Sequence, residues 1–308
     1  MTLQQLEYIL AVDGFHHFAK AAEHCHVTQP TLSAMIQKLE EELEVKIFDR
    51  SQQPVVPTPI GTHIIEQARR VLVESNQVKH IIEEEKHSLS GTFHLGILPS
   101  IAPYLLPRFF PQLAKSHPQL DIRVTEMKTA DIKQALGRSE IDAGIVANLD
   151  DMELFVKTPL LYDQFYGYVS RESPLFKHDR LRTSDLVNQP LWMLDEGHCF
   201  RDQLVRFCQL EAARASQQRY RLGSLETFMR MVESGRGITF IPELAVLQLT
   251  EPQQALVRPF AIPTPTRQLI VLTNKQFVRR TMLDTLVGEI RQSVPKEMLK
   301  LKGTQQLV

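Results

Sequence analysis

The chain has 308 residues, three cysteines and a formal net charge of −1. That length supports two or three folding units with substantial cores, and the near-neutral balance gives no overall field that would mark a nucleic-acid or membrane binder. With no charged-then-apolar leader, no run of about 18 apolar residues, too few cysteines for a secreted disulfide framework and no zinc-site spacing, the expectation is a cytoplasmic protein without membrane contact, metal or cofactor.

Residues 1–58 read as three short helices and a wing. Leu3, Leu6, Ile9, Leu10 and Val12 make one apolar face. A second helix, Phe18-Ala19-Lys20-Ala21-Ala22-Glu23, leads to a turn at Cys25-His26-Val27. Cys25, inside this helical pattern, is expected to be a packed core residue. Thr28 is a good N-cap for the next helix, and Pro30 at its start removes only an N–H that has no helical partner. Leu32, Ile36 and Leu39 should face inward, leaving Gln29, Thr31, Ser33 and Gln37 outside. A polar helix start after a short helix and turn is a helix-turn-helix pattern, whose polar residues reach base edges in a major groove. Thr28, Ser33 and Lys38 would meet phosphates. On pattern alone, an ordinary three-helix bundle with a polar face fits as well.

The run Ala21-Ala22, Val27-Thr28-Gln29-Pro30-Thr31-Leu32-Ser33, Ile36, Lys38-Leu39-Glu40, Leu43, Phe48-Asp49-Arg50 and Thr58 resembles the DNA-binding module of LysR-type transcription regulators over its whole length. The resemblance implies that Thr28, Gln29, Pro30, Thr31 and Ser33 face double-stranded promoter DNA and that Arg50 opens the wing. Two features depart from the family. Residues 1–58 hold four Lys/Arg (20, 38, 46, 50) against eight Asp/Glu (7, 13, 23, 40, 41, 42, 44, 49), a balance of −4, and the wing Ser51-Gln52-Gln53-Pro54 lacks cations. Phosphate attraction should be weak, so affinity would lean on dimerisation and geometry.

Residues 59–89 form the expected linker helix. Ile64, Ala68, Val71, Ser75, Val78 and Ile82 recur at steps of four and three, the spacing of a coiled-coil seam. Nothing nearby in the sequence covers that seam, so a dimerisation helix is expected; the alternative is a helix packed on its own domain. Ser88-Leu89-Ser90-Gly91 breaks it.

From residue 90 to 308 strand and helix alternate. Strands are expected at 93–98, 122–125, 142–146, 165–169, 191–194, 219–222, 237–241 and 269–272. Helices are expected at 105–115, 130–137, 225–233 and 278–292, and the tail from 296 to 308 should be frayed. This predicts an α/β fold with mostly parallel sheets. The family resemblance implies a regulatory domain of two lobes like those of periplasmic binding proteins, about 92–161 with 268–300, and about 162–267.

In Leu194-Asp195-Glu196-Gly197-His198-Cys199-Phe200-Arg201-Asp202 a strand end and a tight turn precede a helix. Cys199 falls in its first turn, where unpaired N–H groups and the dipole favour a thiolate; Arg201 favours it too. Cys208 lies nine residues on, roughly on the opposite face and about 13 Å away, whereas a disulfide needs Cα atoms within about 7 Å. Pairing these thiols would end the helix. Taken alone, the pair also fits a small buried hydrophobe and a bystander.

The Gly197-His198-Cys199 start and the Phe207-Cys208 end resemble the redox segment of the peroxide-sensing members of the LysR-type family. The resemblance implies that Cys199 senses hydrogen peroxide and Cys208 resolves it as a reversible disulfide. It also implies a pocket of Ser100, where a threonine is usual, with Thr129, His198, Asp202 and Arg267. Expected partners are a homodimer assembling into a homotetramer, RNA polymerase, and a disulfide reductant such as a glutaredoxin or thioredoxin. The protein would be a regulator, not an enzyme. Its rivals are a LysR-type regulator answering a metabolite in the cleft and a thiol peroxidase.

Overall fold

The computed structural model describes residues 1–85, 89–187, 189–194, 199–208, 224–235 and 237–308. The chain divides into two compact units, residues 1–86 and 87–308.

In the first unit, Thr2 opens α1 (Leu3–Phe15) with a reciprocal cap: its hydroxyl accepts the Gln5 N–H while the Gln5 side chain accepts the Thr2 N–H. Then come α2 (Phe18–His24) and α3 (Gln29–Glu42). Thr28 caps α3, its hydroxyl accepting the Thr31 N–H at 3.4 Å. Leu32, Ile36 and Leu39 are fully buried with Leu6, Ile9, Val12, Ala21 and Ala22. Cys25 is only partly buried at the edge of this cluster. β1 (Phe48–Asp49) and β2 (Val56–Pro57) pair antiparallel as the wing. α4 (Pro59–Glu85) spans about 40 Å at 1.5 Å per residue. Its Gly61 lies against the Ile47 carbonyl, where a Cβ would come within 2.0 Å. The helix can begin this close to the wing only with glycine.

The expectation that nothing covers the α4 seam is corrected for its first half. Ile64, Ala68 and Val71 pack on the unit's own core, because α1 lies along this stretch. Val78 and Ile82, together with Ile81, are more than half exposed.

The second unit runs β3 (Gly91–Ile97), α5 (Ala102–Ser116), β4 (Leu120–Glu126), α6 (Thr129–Gly137), β5 (Ala143–Ala147), β6 (Phe155–Val169), β7 (Leu191–Trp192), α7 (Cys199–Cys208), α8 (Leu225–Glu233) and β8 (Ile238–Pro242). It continues with α9 (Glu243–Val246), α10 (Glu251–Gln254), β9 (Val257–Pro259), β10 (Thr264–Asn274), α11 (Arg280–Gln292) and β11 (Gln305–Leu307). The strand order is β4-β3-β5-β10-β6-β8-β7, with β11 beside β10 and β9 beside β6. The strand expected at 219–222 lies outside the described residues.

Two expectations change here. The sheet is mixed rather than mostly parallel: β3 is parallel to β4 and β5, but β10 is antiparallel to β5 and β6, and β6 to β8 and β9. The reason is that β6 and β10 are long strands serving both lobes, with β5 at one end and β8 and β9 at the other. The tail is not frayed. β11 pairs in parallel with β10, and Met298 is buried, so the sheet edge supplies the partners that a polar tail needs.

The register of β6 on β10 positions the site. Arg267 lies directly opposite Asp163, where the two strands pass from one lobe to the other.

Candidate redox site and nucleic-acid interface

Asp163 and Arg267 are cross-strand neighbours, and both are fully buried. Arg267 donates Nε and Nη2 to Oδ2 of Asp163 at 3.0 and 2.8 Å. Its Nη1 donates to the Ser100 hydroxyl at 3.0 Å and its Nη2 to the Ser100 carbonyl at 3.2 Å. The Leu244 N–H donates to the other oxygen of Asp163 at 3.1 Å. Burial pushes the Asp163 carboxyl up, opposed first by the Arg267 charge and then by these hydrogen bonds. Leaving a partner out of such a network strands a charge in an apolar interior.

Two aromatic rings wall the guanidinium. Phe200 lies 5.1 Å from it and Phe165 lies 5.7 Å away, and the rings meet edge to face at 4.9 Å.

Cys199 opens α7 against this network, with its thiol buried. The expectation of a low thiol pKa is corrected: burial pushes it up. Arg267, the Thr129 hydroxyl and the Phe200 N–H pull the other way, and the Asp202 charge adds to the rise. The cation acting on the sulfur is thus Arg267, not Arg201, which is buried with its Nη1 3.9 Å from Asp202. Desolvation wins because a helix terminus and one cation must offset the near-complete loss of water around an anion. The Thr129 hydroxyl, buried beside the sulfur at the start of α6, has no hydrogen-bond partner of good geometry among the described residues. It is a donor placed next to a thiol.

Cys208 ends the same helix. It too is a buried free thiol, and burial alone pushes it up to about 12.

The structure therefore brings Ser100, Thr129 and Arg267 together around Cys199. Asp202 sits at the solvent side, 48% exposed. His198 lies outside the described residues. Sequence reasoning missed Asp163, Phe165 and Phe200. The signal for Asp163 was present: a lone acid in the run Leu160-Leu161-Tyr162-Asp163-Gln164-Phe165, on the same side as Leu161 and Phe165, needs a buried cation.

In the first unit, Gln29, Pro30, Thr31 and Lys38 are exposed along the start and outer face of α3, with Thr28 at its cap. Ser33 is half-buried and accepts from Arg50 Nη1 at 3.1 Å. Arg50 also reaches Glu40 at 3.1 Å and lies over the Phe18 ring at 5.0 Å. Glu40, missed by sequence reasoning, is buried and accepts the N–H groups of Ile47 and Phe48 at 2.8 and 3.2 Å. It fixes the wing to α3 and gives Arg50 its direction. Among the described residues no helix is long and apolar enough to cross a membrane, and no group of metal-ligating side chains occurs.

Residues 3–62 match the family described as bacterial regulatory helix-turn-helix protein, lysR family, and residues 86–295 match the LysR substrate binding domain. The chain belongs to the LysR family of transcription regulators, a winged helix-turn-helix joined by a long helix to a two-lobed α/β regulatory domain. It is 34% identical over 303 residues to the hydrogen peroxide-inducible genes activator of Dickeya chrysanthemi, covering 98% of this chain and 99% of that one. The crystal structure of OxyR from Porphyromonas gingivalis is 47% identical with a TM-score of 0.66, covering 71% of this chain and 99% of that one. A full-length OxyR variant from Pseudomonas aeruginosa is 34% identical with a TM-score of 0.76, covering 94% and 98%. Within the LysR family, the chain thus belongs with the OxyR-type hydrogen peroxide-inducible activators.

Proposed function

We propose that the chain is a peroxide-responsive, DNA-binding transcriptional regulator in which Cys199 is the sensor and Cys208 the resolving thiol. One observation carries the reading: a buried thiol faces a buried cation and a buried hydroxyl, while a second buried thiol closes the same ten-residue helix.

In the first step the Cys199 sulfur attacks one oxygen of hydrogen peroxide and the O–O bond breaks. The leaving oxygen takes the thiol proton and departs as water, and Cys199 becomes a sulfenic acid. Arg267 and Thr129 favour the anion that attacks, and Ser100 orients the guanidinium. In the second step the Cys208 sulfur attacks that of Cys199; the S–OH bond breaks and hydroxide leaves with the Cys208 proton as a second water. Two thiols have then lost two electrons to one peroxide. Because the two residues sit about 13 Å apart along an intact helix, the disulfide requires α7 to unravel. The refolded 198–208 segment changes oligomer packing and DNA contacts.

The winged helix-turn-helix of residues 1–58 holds promoter DNA through Thr28, Gln29, Pro30, Thr31, Lys38 and Arg50, with Ser33 acting through Arg50. The exposed distal half of α4, within the linker of residues 59–89, supports a homodimer, and the regulatory domain from residue 90 assembles dimers into a tetramer. RNA polymerase and a glutaredoxin- or thioredoxin-like reductant complete the cycle in the cytoplasm. The protein senses peroxide stoichiometrically rather than turning it over.

The test is peptide mass mapping after dilute peroxide, beside a DNA footprint. A bridge joining Cys199 to Cys208 is expected, with Cys25 still free. Cys199→Ser should lose both the bridge and the footprint change, and Cys208→Ser should stop at the sulfenic acid. A Cys199→Ser protein that still changes its footprint with peroxide sinks the reading. Steady consumption of peroxide with a dithiol reductant would indicate a peroxidase instead.

A further inference from the structure

A second feature of α7 has no part in this chemistry. On the face that carries Gln203, Arg206 and Phe207, at spacings of three and four, the helix lines a groove of about 620 Å³. Its other walls are Leu181–Thr183, Phe260–Pro263 and the end of β11. That volume suits a small molecule.

The lining is chemically divided. Arg182 and Arg206 are exposed, and neither guanidinium forms an ion pair among the described residues. Gln203 is only 3% exposed; its Nε2 donates to the Val308 main-chain oxygen at 2.7 Å, while its Oε1 has no partner among the described residues. A buried amide oxygen without a donor costs stability unless something supplies one. Leu181, Phe207 and Phe260 also line the groove, the two rings meeting edge to face at 6.2 Å. The groove thus presents guanidinium groups for a carboxylate, oxygen acceptors for an N–H donor, and an aromatic floor. A free α-amino acid with an apolar side chain carries all three complements.

We propose that this groove binds an apolar α-amino acid and that the bound amino acid holds the sensor in its reduced form. The second half rests on the redox reading above. Gln203, Arg206 and Phe207 face the groove together only while α7 is helical, so a ligand held by all three selects that state and opposes the disulfide. The carboxylate goes to Arg206 and Arg182, the ammonium to Gln203 Oε1, and the side chain to Phe207 and Phe260.

The experiment is calorimetric titration of the reduced full-length protein with L-phenylalanine, with 3-phenylpropanoate and 2-phenylethylamine as analogues lacking one charged group each. Saturable binding of phenylalanine is expected, at least tenfold weaker for either analogue and for Arg206→Gln or Arg182→Gln, since a charge-assisted hydrogen bond is worth about 1.5–3 kcal/mol. Both arginines are exposed, so the variants should keep the wild-type melting temperature. Phenylalanine at ten times its Kd should slow peroxide-driven disulfide formation about tenfold. No saturable heat, or binding indifferent to both arginine substitutions, overturns the site, even where mass mapping still finds the bridge. Binding that depends on the arginines but is equal in the oxidised protein overturns the coupling and also the loss of α7, leaving the amino-acid site standing.

Discussion

Each unit of the chain buries one carboxylate against one arginine, and the two pairs differ in how far water is excluded. In the DNA-binding unit Glu40 is buried but Arg50 is 37% exposed, reaching from the protein rim to Ser33 and across Phe18. In the regulatory unit Asp163 and Arg267 are both at 0%. A pair at the rim can be remade with solvent or with a phosphate at little cost. A sealed pair cannot, so whatever touches it inherits a fixed electrostatic environment. The first arrangement suits a surface that exchanges partners. The second suits a thiol whose reactivity must not drift with salt or side-chain motion.

The sharpest way to break that contrast is to remove one charge from the sealed pair. Asp163→Asn leaves the Arg267 cation buried without its counter-charge, and this should cost about 3–5 kcal/mol of stability in the regulatory unit. Denaturant unfolding should show the midpoint drop in that unit. A loss below about 1 kcal/mol would mean that water reaches the pair, and the comparison would fail.

A second test uses pH. Burial raises the Cys208 thiol from its ordinary 9.0 to about 12, so the folded state prefers the protonated form. Its contribution is fully present below pH 9, where the unfolded chain is also protonated, and is lost as pH climbs from 9 towards 12. At about 1.4 kcal/mol per unit, the loss approaches ~4 kcal/mol at the top of that window. Measured against wild type, Cys208→Ala should flatten the fall in stability between pH 9 and 12. Cys199 is also raised, which predicts that its oxidation rate keeps rising with pH through 9 rather than levelling off near 7.

Glu40→Gln probes the rim pair and should do less. The amide keeps an acceptor for Ile47 and Phe48 but loses the charge facing Arg50. Because Arg50 keeps solvent and Ser33, a cost of about 1–2 kcal/mol is expected in the DNA-binding unit. DNA affinity should change more than stability, since the freed Arg50 loses its direction; comparing footprinting titrations with melting curves separates the two.

How much of this was legible in the sequence depended on whether a residue's partner was near it in the chain. Thr28 and its helix were readable because a cap and its N–H lie three residues apart. The inward face of α3 followed from its 3.6-residue period. Cys199 and Cys208 stood out because Gly197-His198-Cys199 and Phe207-Cys208 lie together in one short stretch that resembles the family's redox segment; their spacing alone left a bystander pair open. Asp163 and Arg267 lie 104 residues apart, and nothing local joins them; only the register of β6 on β10 does. The covered half of the α4 seam was misjudged for the same reason, since α1 comes from the far end of the unit. The Cys199 thiol was misjudged because a helix terminus is visible in sequence, whereas the depth of burial that outweighs it is not.

The smallest effect on stability should come with one of the largest effects on rate. Thr129 contributes a buried hydroxyl that makes no hydrogen bond of good geometry among the described residues, so Thr129→Val, which keeps the shape and removes the oxygen, should shift stability by no more than about 0.5 kcal/mol. Its hydroxyl is nonetheless one of the groups that pull the Cys199 thiol down. Without it, burial and the Asp202 charge face only Arg267 and the Phe200 N–H, and the attacking anion becomes scarcer. Oxidation by peroxide, followed by loss of free thiol, should slow about tenfold, with Thr129→Ser restoring most of the rate. If Thr129→Val oxidises at the wild-type rate, the hydroxyl is a packing group, and the sealed Arg267 charge alone governs the thiol.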